Sequence, residues 1–253
     1  GLSILQNRLA SINKVNSLPP LKDIFSKKFL KNQTIIYSLQ RKNRDYPGLV
    51  IIRKPDGKFV RNNDGSIFHV SQLARAVTNY PFYITNGNTP QGIFRWSGFE
   101  ISKLSFIGPT PNLQLTLPIE AKPSVFFDDS SLVNEGWQKN MYASMLPSSW
   151  KNYEGIYESF YAGTMGRNEI IMHGTTVDPA YYKGQLYYPQ TPSLGCLCSY
   201  EEWNNKGELV KSNQQQIVDA LDEIDSSNGY VVVIELNNEK KAVNIADVQK
   251  FLQ

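Results

Sequence analysis

Two spacings of apolar residues divide the chain. Between residues 2 and 29, Leu2, Leu5, Leu9 and Ile12, then Ile24, Phe25 and Phe29, recur at roughly helical intervals broken at Pro19-Pro20. This spacing predicts two short helices forming an N-terminal arm over 1–34. Beyond Thr34 the character changes to short β-rich runs: residues 34–39 and 49–52 read as strands, and Pro55-Asp56-Gly57 turns the chain into 58–61. Further strands are predicted at 81–85, 92–96 and 100–106, with turns at Asn86-Gly87-Asn88 and Gly108-Pro109. A mixed segment, 109–159, carries a predicted helix at 131–145 and leads into an aromatic run at 150–161; it reads as an insertion over a site. A core strand at 169–172 then ends on His173-Gly174, and a helix at 214–224, an apolar strand at 230–236 and a short C-terminal helical tail, 238–253, complete the chain. The sum is an α+β protein with one β-rich domain over 35–237.

Composition narrows the class without naming a function. With 41% apolar and 19% charged residues the chain is an ordinary globular sequence, and 253 residues suffice for a full core. A net charge of +3 is small, and no Lys/Arg run exceeds the pairs Lys27-Lys28 and Lys240-Lys241, so no nucleic-acid footprint is present. No run of eighteen apolar residues exists, so no membrane span is expected, and the start at Gly1, lacking Met or a secretory signal, reads as a trimmed N-terminus.

Candidate chemistry rests on few residues. The two cysteines sit as Cys196-Leu197-Cys198, too close along an extended chain to bridge well, and the two histidines are His69 and His173. His173 ends a core strand and precedes a glycine, which puts an imidazole at the mouth of a rigid support; His69 has no such setting and reads as structural. Cys196 follows Ser193-Leu194-Gly195, whose small residues permit a tight turn with free backbone N–H groups, as an oxyanion hole requires. A thiol with an ordinary pKa near 8.5 needs a neighbouring imidazole to become a nucleophile, and His173 is the candidate. Cys198 reads as a packed core residue.

Two separated pieces resemble the L,D-transpeptidase catalytic domain of bacterial cell-wall enzymes. The first is Asn88-Thr89-Pro90-Gln91-Gly92-Ile93-Phe94; the second is His173-Gly174 followed by Ser193-Leu194-Gly195-Cys196. Their order agrees with the family, and the resemblance spans roughly 35–237. It implies a mainly antiparallel, curved or sandwich-like sheet with flanking helices. It also implies that Cys196 attacks a carbonyl of a peptidoglycan stem peptide and His173 takes the thiol proton. The Gly174 carbonyl would orient the ring, and the N–H groups of Gly195 and Cys196 would hold the oxyanion. Ser193 and Leu194 would contact substrate, with no cofactor and no metal, in the bacterial envelope, periplasmic or secreted. By residue type alone, Tyr187 and Tyr188 are candidates to line a groove for a peptide or glycan, with cover of a core edge as the alternative. Sensitivity to carbapenems is implied as well. Leu194 stands where the family signature has a second histidine, and Cys198 where an arginine commonly follows.

Three other readings accompany this one. The same thioester resolved by water would make the protein an L,D-carboxypeptidase or other thiol amidase. A groove that kept its shape without its chemistry would be a wall-binding module. A zinc site on His173, Cys196 and Cys198 is disfavoured, because it offers three ligands where structural zinc takes four.

Overall fold

In the computed structural model, residues 17–104, 106–175, 178–181, 183–184 and 187–252 are described. Among these described residues, ten strands and five short α-helices follow one another. The strands are β1 (Ile35–Gln40), β2 (Gly48–Arg53), β3 (Val70–Leu73), β4 (Gly92–Glu100), β5 (Asn112–Thr116), β6 (Ile170–His173), β7 (Leu197–Ser199), β8 (Glu201–Trp203), β9 (Leu209–Ser212) and β10 (Asn228–Glu235). The helices are α1 (Leu21–Phe25), α2 (Pro123–Phe127), α3 (Lys139–Ser144), α4 (Glu158–Thr164) and α5 (Asn213–Asp222).

Eight strands close into one barrel in the order β1-β10-β4-β5-β6-β7-β3-β2, while β8 and β9 form a separate ribbon. This corrects the expected curved or sandwich-like antiparallel sheet with flanking helices. The wall is mixed, with β1 parallel to β10 and β6 parallel to β7, and it has no free edge. Closure runs through β3–β7 and β6–β7, pairings of only two residues each between segments far apart in sequence. Strands that short carry no readable alternation, so an edge looks open in the sequence where the fold seals it.

All eight barrel strands contribute to one apolar cluster, which is therefore the interior: Ile36, Val50, Val70, Phe94, Leu113, Met172, Leu197 and Val231 among others. One face of α5, with Ile217, Val218 and Leu221, joins it. Ser212 caps α5 by accepting a hydrogen bond from the Gln215 N–H at 2.9 Å. The alternate residues of β1, β2, β4 and β10 face outward but are also buried, under α1, the 119–161 segment and the C-terminal tail. Burial of both faces explains why β1 and β2 read as continuous apolar runs.

Several predicted elements take other forms. The first predicted helix of the arm lies mostly outside the described residues; the second appears as α1. The helix expected at 131–145 is a turn at Ser130–Leu132 and then α3, with Gly136 between them and Trp137 held by its indole N–H on the Ala121 carbonyl at 2.7 Å. The expected strand at 100–106 is only the end of β4 followed by irregular chain, and 81–85 is a turn. The C-terminal tail forms two 3-10 turns, Ile245–Asp247 and Gln249–Phe251. No helix among the described residues is long and apolar enough to cross a membrane.

Candidate active site

On β6 and β7 the side chains alternate between interior and exterior. Ile170, Met172 and Leu197 point inward, so Ile171, His173, Cys196 and Cys198 share the outer face. The register pairs Met172 with Leu197 and His173 with Cys198, which sets Cys196 beside Ile171. There the Ile171 N–H reaches Cys196 Sγ at 3.5 Å, and the thiol points to the Glu169 carbonyl at 3.9 Å. The two strands thus bring Cys196 and His173 to one surface, two residues out of register. Among the described residues no hydrogen bond joins them.

That surface is the floor of a cleft of about 1000 Å³, lined by His173, Cys196, Ser193, Leu194 and Arg167 and by Asn112 and Gln114 from β5. The irregular chain after β4 supplies one wall, with Ile101, Leu104 and Phe106 all more than half exposed. From the segment expected to form an insertion over the site, only the β5 residues line the cleft; its helices pack on the opposite part of the barrel exterior.

Cys196 follows Gly195, whose φ of 107° lies in the left-handed region. Space also demands glycine there: an added Cβ would lie 2.2 Å from Arg167 Nη2 and 2.3 Å from the Gly87 carbonyl. The turn is held from within and from outside. Ser193 Oγ accepts the Cys196 N–H at 3.0 Å and donates to the Cys196 carbonyl at 3.3 Å, while Thr89 Oγ1 donates to the Gly195 carbonyl at 2.9 Å. Of the two expected oxyanion donors, then, the Cys196 N–H is already engaged by Ser193. The Gly195 N–H has no partner among the described residues.

Burial raises the Cys196 thiol above its ordinary pKa, opposed by the Ile171 N–H, the Arg167 charge and Ser193. Burial likewise pushes His173 down to about 4, with the backbone of Thr175 and Gly174 pulling upward. His173 is 2% exposed as a residue, and its Nδ1 lacks a hydrogen bond of normal geometry. The resting pair at neutral pH is a protonated thiol and a neutral imidazole.

Gly174, expected to orient the ring through its carbonyl, does something different. Its carbonyl accepts the Cys198 thiol at 2.8 Å, and its missing side chain admits Glu201, since an added Cβ would lie 2.1 Å from Glu201 Cδ. Glu201 is wholly buried and binds the strand end: its carboxylate accepts the Thr175 N–H at 2.7 Å and the Ser212 hydroxyl at 2.6 Å. Burial, followed by the charges of Glu201 and Cys196, raises the Cys198 thiol far above its ordinary range. Cys198 is therefore an inert packed thiol.

Leu194 stands 58% exposed on the cleft rim. Neither Tyr187 nor Tyr188 is among the described residues lining the cleft; Tyr187 bonds through its hydroxyl to the Trp203 N–H and the Glu201 carbonyl, a structural post for the β8–β9 ribbon. His69 lies elsewhere, with Nδ1 2.9 Å from the Ile67 carbonyl. No group of three or more His, Cys, Asp or Glu among the described residues is arranged to hold a metal ion.

Sequence reasoning missed Arg167, Glu201 and the role of Thr89. The guanidinium of Arg167 lies against Gly195 and donates to the carbonyls of Phe82 (2.6 Å), Asn88 (2.7 Å) and Gly87 (2.5 Å). Fold and site together define a closed mixed β-barrel with a cysteine and a histidine on the floor of one exterior cleft. No protein-family model and no curated protein matches the chain.

Proposed function

We propose that the protein is a cysteine acyltransferase of the L,D-transpeptidase type, acting on peptidoglycan stem peptides in the bacterial envelope. The observation that carries this reading is the placement of Cys196 and His173 on the same exterior face of two parallel strands, at the floor of a cleft large enough for a peptide. In the reaction the Cys196 sulfur attacks the donor carbonyl carbon as its proton passes to the His173 imidazole. The resulting oxyanion meets the Gly195 N–H, and collapse expels the donor amine, which takes the proton back from His173. The thioester is then cleaved by an acceptor amine, forming a cross-link, or by water, trimming the stem.

A neutral thiol and a neutral imidazole suit this sequence if proton transfer accompanies attack rather than preceding it. Bound substrate must then bring Cys196 and His173 into hydrogen-bonding range, a tightening common between free and occupied sites. A stem-peptide-binding module without chemistry is the second reading, favoured by the raised thiol and the missing Cys196–His173 hydrogen bond. Incubation with disaccharide-tetrapeptide, with and without an acceptor stem, separates the readings. Cross-linked dimer supports the transferase and tripeptide alone the carboxypeptidase. Saturable binding with unchanged peptide overturns both in favour of the module.

A further inference from the structure

Arg167 is the most unusual charged group at the cleft. It is 8% exposed, follows the left-handed Gly166 between α4 and β6, and its three hydrogen bonds among the described residues all go to backbone carbonyls. No carboxylate forms an ion pair with it among the described residues. A buried cation is ordinarily paired with a carboxylate, because the charge is costly to remove from water. Three neutral carbonyls solvate the guanidinium without cancelling its charge. That charge is held against Gly195, one residue from the thiol.

We propose that Arg167 is a positioning residue for Cys196, one guanidinium serving both to clamp the Phe82–Asn88 turn against the Gly195 loop and to supply the positive field that stabilises the thiolate form. The inference rests on Cys196 being the nucleophile. The clamp is direct: Nη1 spans Phe82 and Asn88, and Nη2 holds Gly87, whose carbonyl also flanks Gly195. The charge relation is mutual, Arg167 favouring the thiolate and the thiolate favouring the cation. Other titratable groups face the thiol without supplying a comparable cation. His173 and neutral Cys198 lie on the adjoining strands, Glu169 precedes β6, and Glu201 stands beyond Cys198. On the cleft wall Lys103 is exposed and Glu100 is a rim carboxylate. The unmatched charge also fits the step in which negative charge builds on the Cys196 sulfur as its proton passes to His173.

The test reads the field at the thiol without using any substrate. Cys196 in the unmodified protein is treated with a cationic and an anionic methanethiosulfonate of equal size, and the rate ratio is normalised to that of a small free thiol. The expected result is a shift of several-fold toward the anionic reagent; a normalised ratio at or below one overturns the proposal. In Arg167→Gln, checked for folding by circular dichroism, the preference is expected to vanish and the midpoint of the alkylation pH profile to rise by about one pH unit. A folded Arg167→Gln with an unmoved midpoint overturns it too. If that variant does not fold, the unmodified protein's reagent ratio still decides. Failure of the acyl-transfer reading shows separately, as a cysteine with the expected field and no acyl-enzyme.

Discussion

Replacing Gly174 by alanine tests whether the strand end bearing His173 is held by Glu201. The new Cβ would lie 2.1 to 2.3 Å from the Cδ, Oε1 and Oε2 atoms of that carboxylate, so the carboxylate has to leave. It is buried among its partners and holds the Thr175 N–H and the Ser212 hydroxyl. Hydrogen bonds to charged groups contribute about 1.5–3 kcal/mol each, so losing both costs roughly 3–6 kcal/mol. For a chain of this size each kcal/mol lowers the melting temperature by about 2–4 °C, which predicts a fall of roughly 6–24 °C. The assay is a thermal melt of Gly174→Ala, Glu201→Ala and the double variant. Once Glu201 is gone the added methyl has room, so in the Glu201→Ala background Gly174→Ala is expected to cost under about 1 kcal/mol. An equal cost in both backgrounds, or a single-variant melt unchanged from the parent, refutes the account.

Other expectations follow from the same geometry. Folding holds the His173 pKa near 4 against an ordinary 6.5, so the unfolded chain binds more protons between those values. The stability tied to this ring is complete above pH 6.5 and lost as pH falls toward 4, a difference of about 3 kcal/mol. Urea midpoints at pH 7 and pH 4.5 should therefore converge in His173→Gln relative to the parent, and equal pH slopes in the two proteins would contradict the assignment. Iodoacetamide at pH 8 should label one cysteine, Cys196, because Cys198 is 1% exposed and its thiol is bonded to the Gly174 carbonyl; peptide mapping that finds Cys198 labelled in folded protein would contradict this. Leu194→Ala should leave stability within about 0.5 kcal/mol, as expected for a surface position, while altering KM for the stem peptide. A large loss of stability instead would show that Leu194 is a packing residue.

The long, regular elements were legible because their signals are local. Strands β1, β2, β4, β6 and β10 and helix α5 all lie within a few residues of their predicted positions. Barrel closure was not legible, because it depends on β3 and β7, whose short pairings gain their meaning only from partners more than a hundred residues away. At the site, the pair Cys196 and His173 could be singled out from residue scarcity and from the glycines beside them. Arg167 could not, since an arginine is read by default as solvated, and its three carbonyl partners lie about eighty residues earlier. The available hint was Gly166-Arg167 immediately ahead of the strand that ends in His173. Gly174 was singled out for its carbonyl and not for its missing side chain; the neighbour that requires glycine there, Glu201, follows β7 and comes into contact only through the parallel pairing of β6 with β7. Tyr187 and Tyr188 were chosen for residue type alone, and the fold commits the first of them to the β8–β9 ribbon.

The central claim is that Cys196 forms an acyl-enzyme with the help of His173. Intact-mass spectrometry of the protein and of Cys196→Ala and His173→Ala after exposure to a carbapenem, and separately to disaccharide-tetrapeptide, tests it most directly. The account predicts a covalent adduct on the parent, none on Cys196→Ala, and a markedly slower one on His173→Ala. Folded parent protein that gains no mass from either reagent, or an adduct that persists in Cys196→Ala, would contradict it.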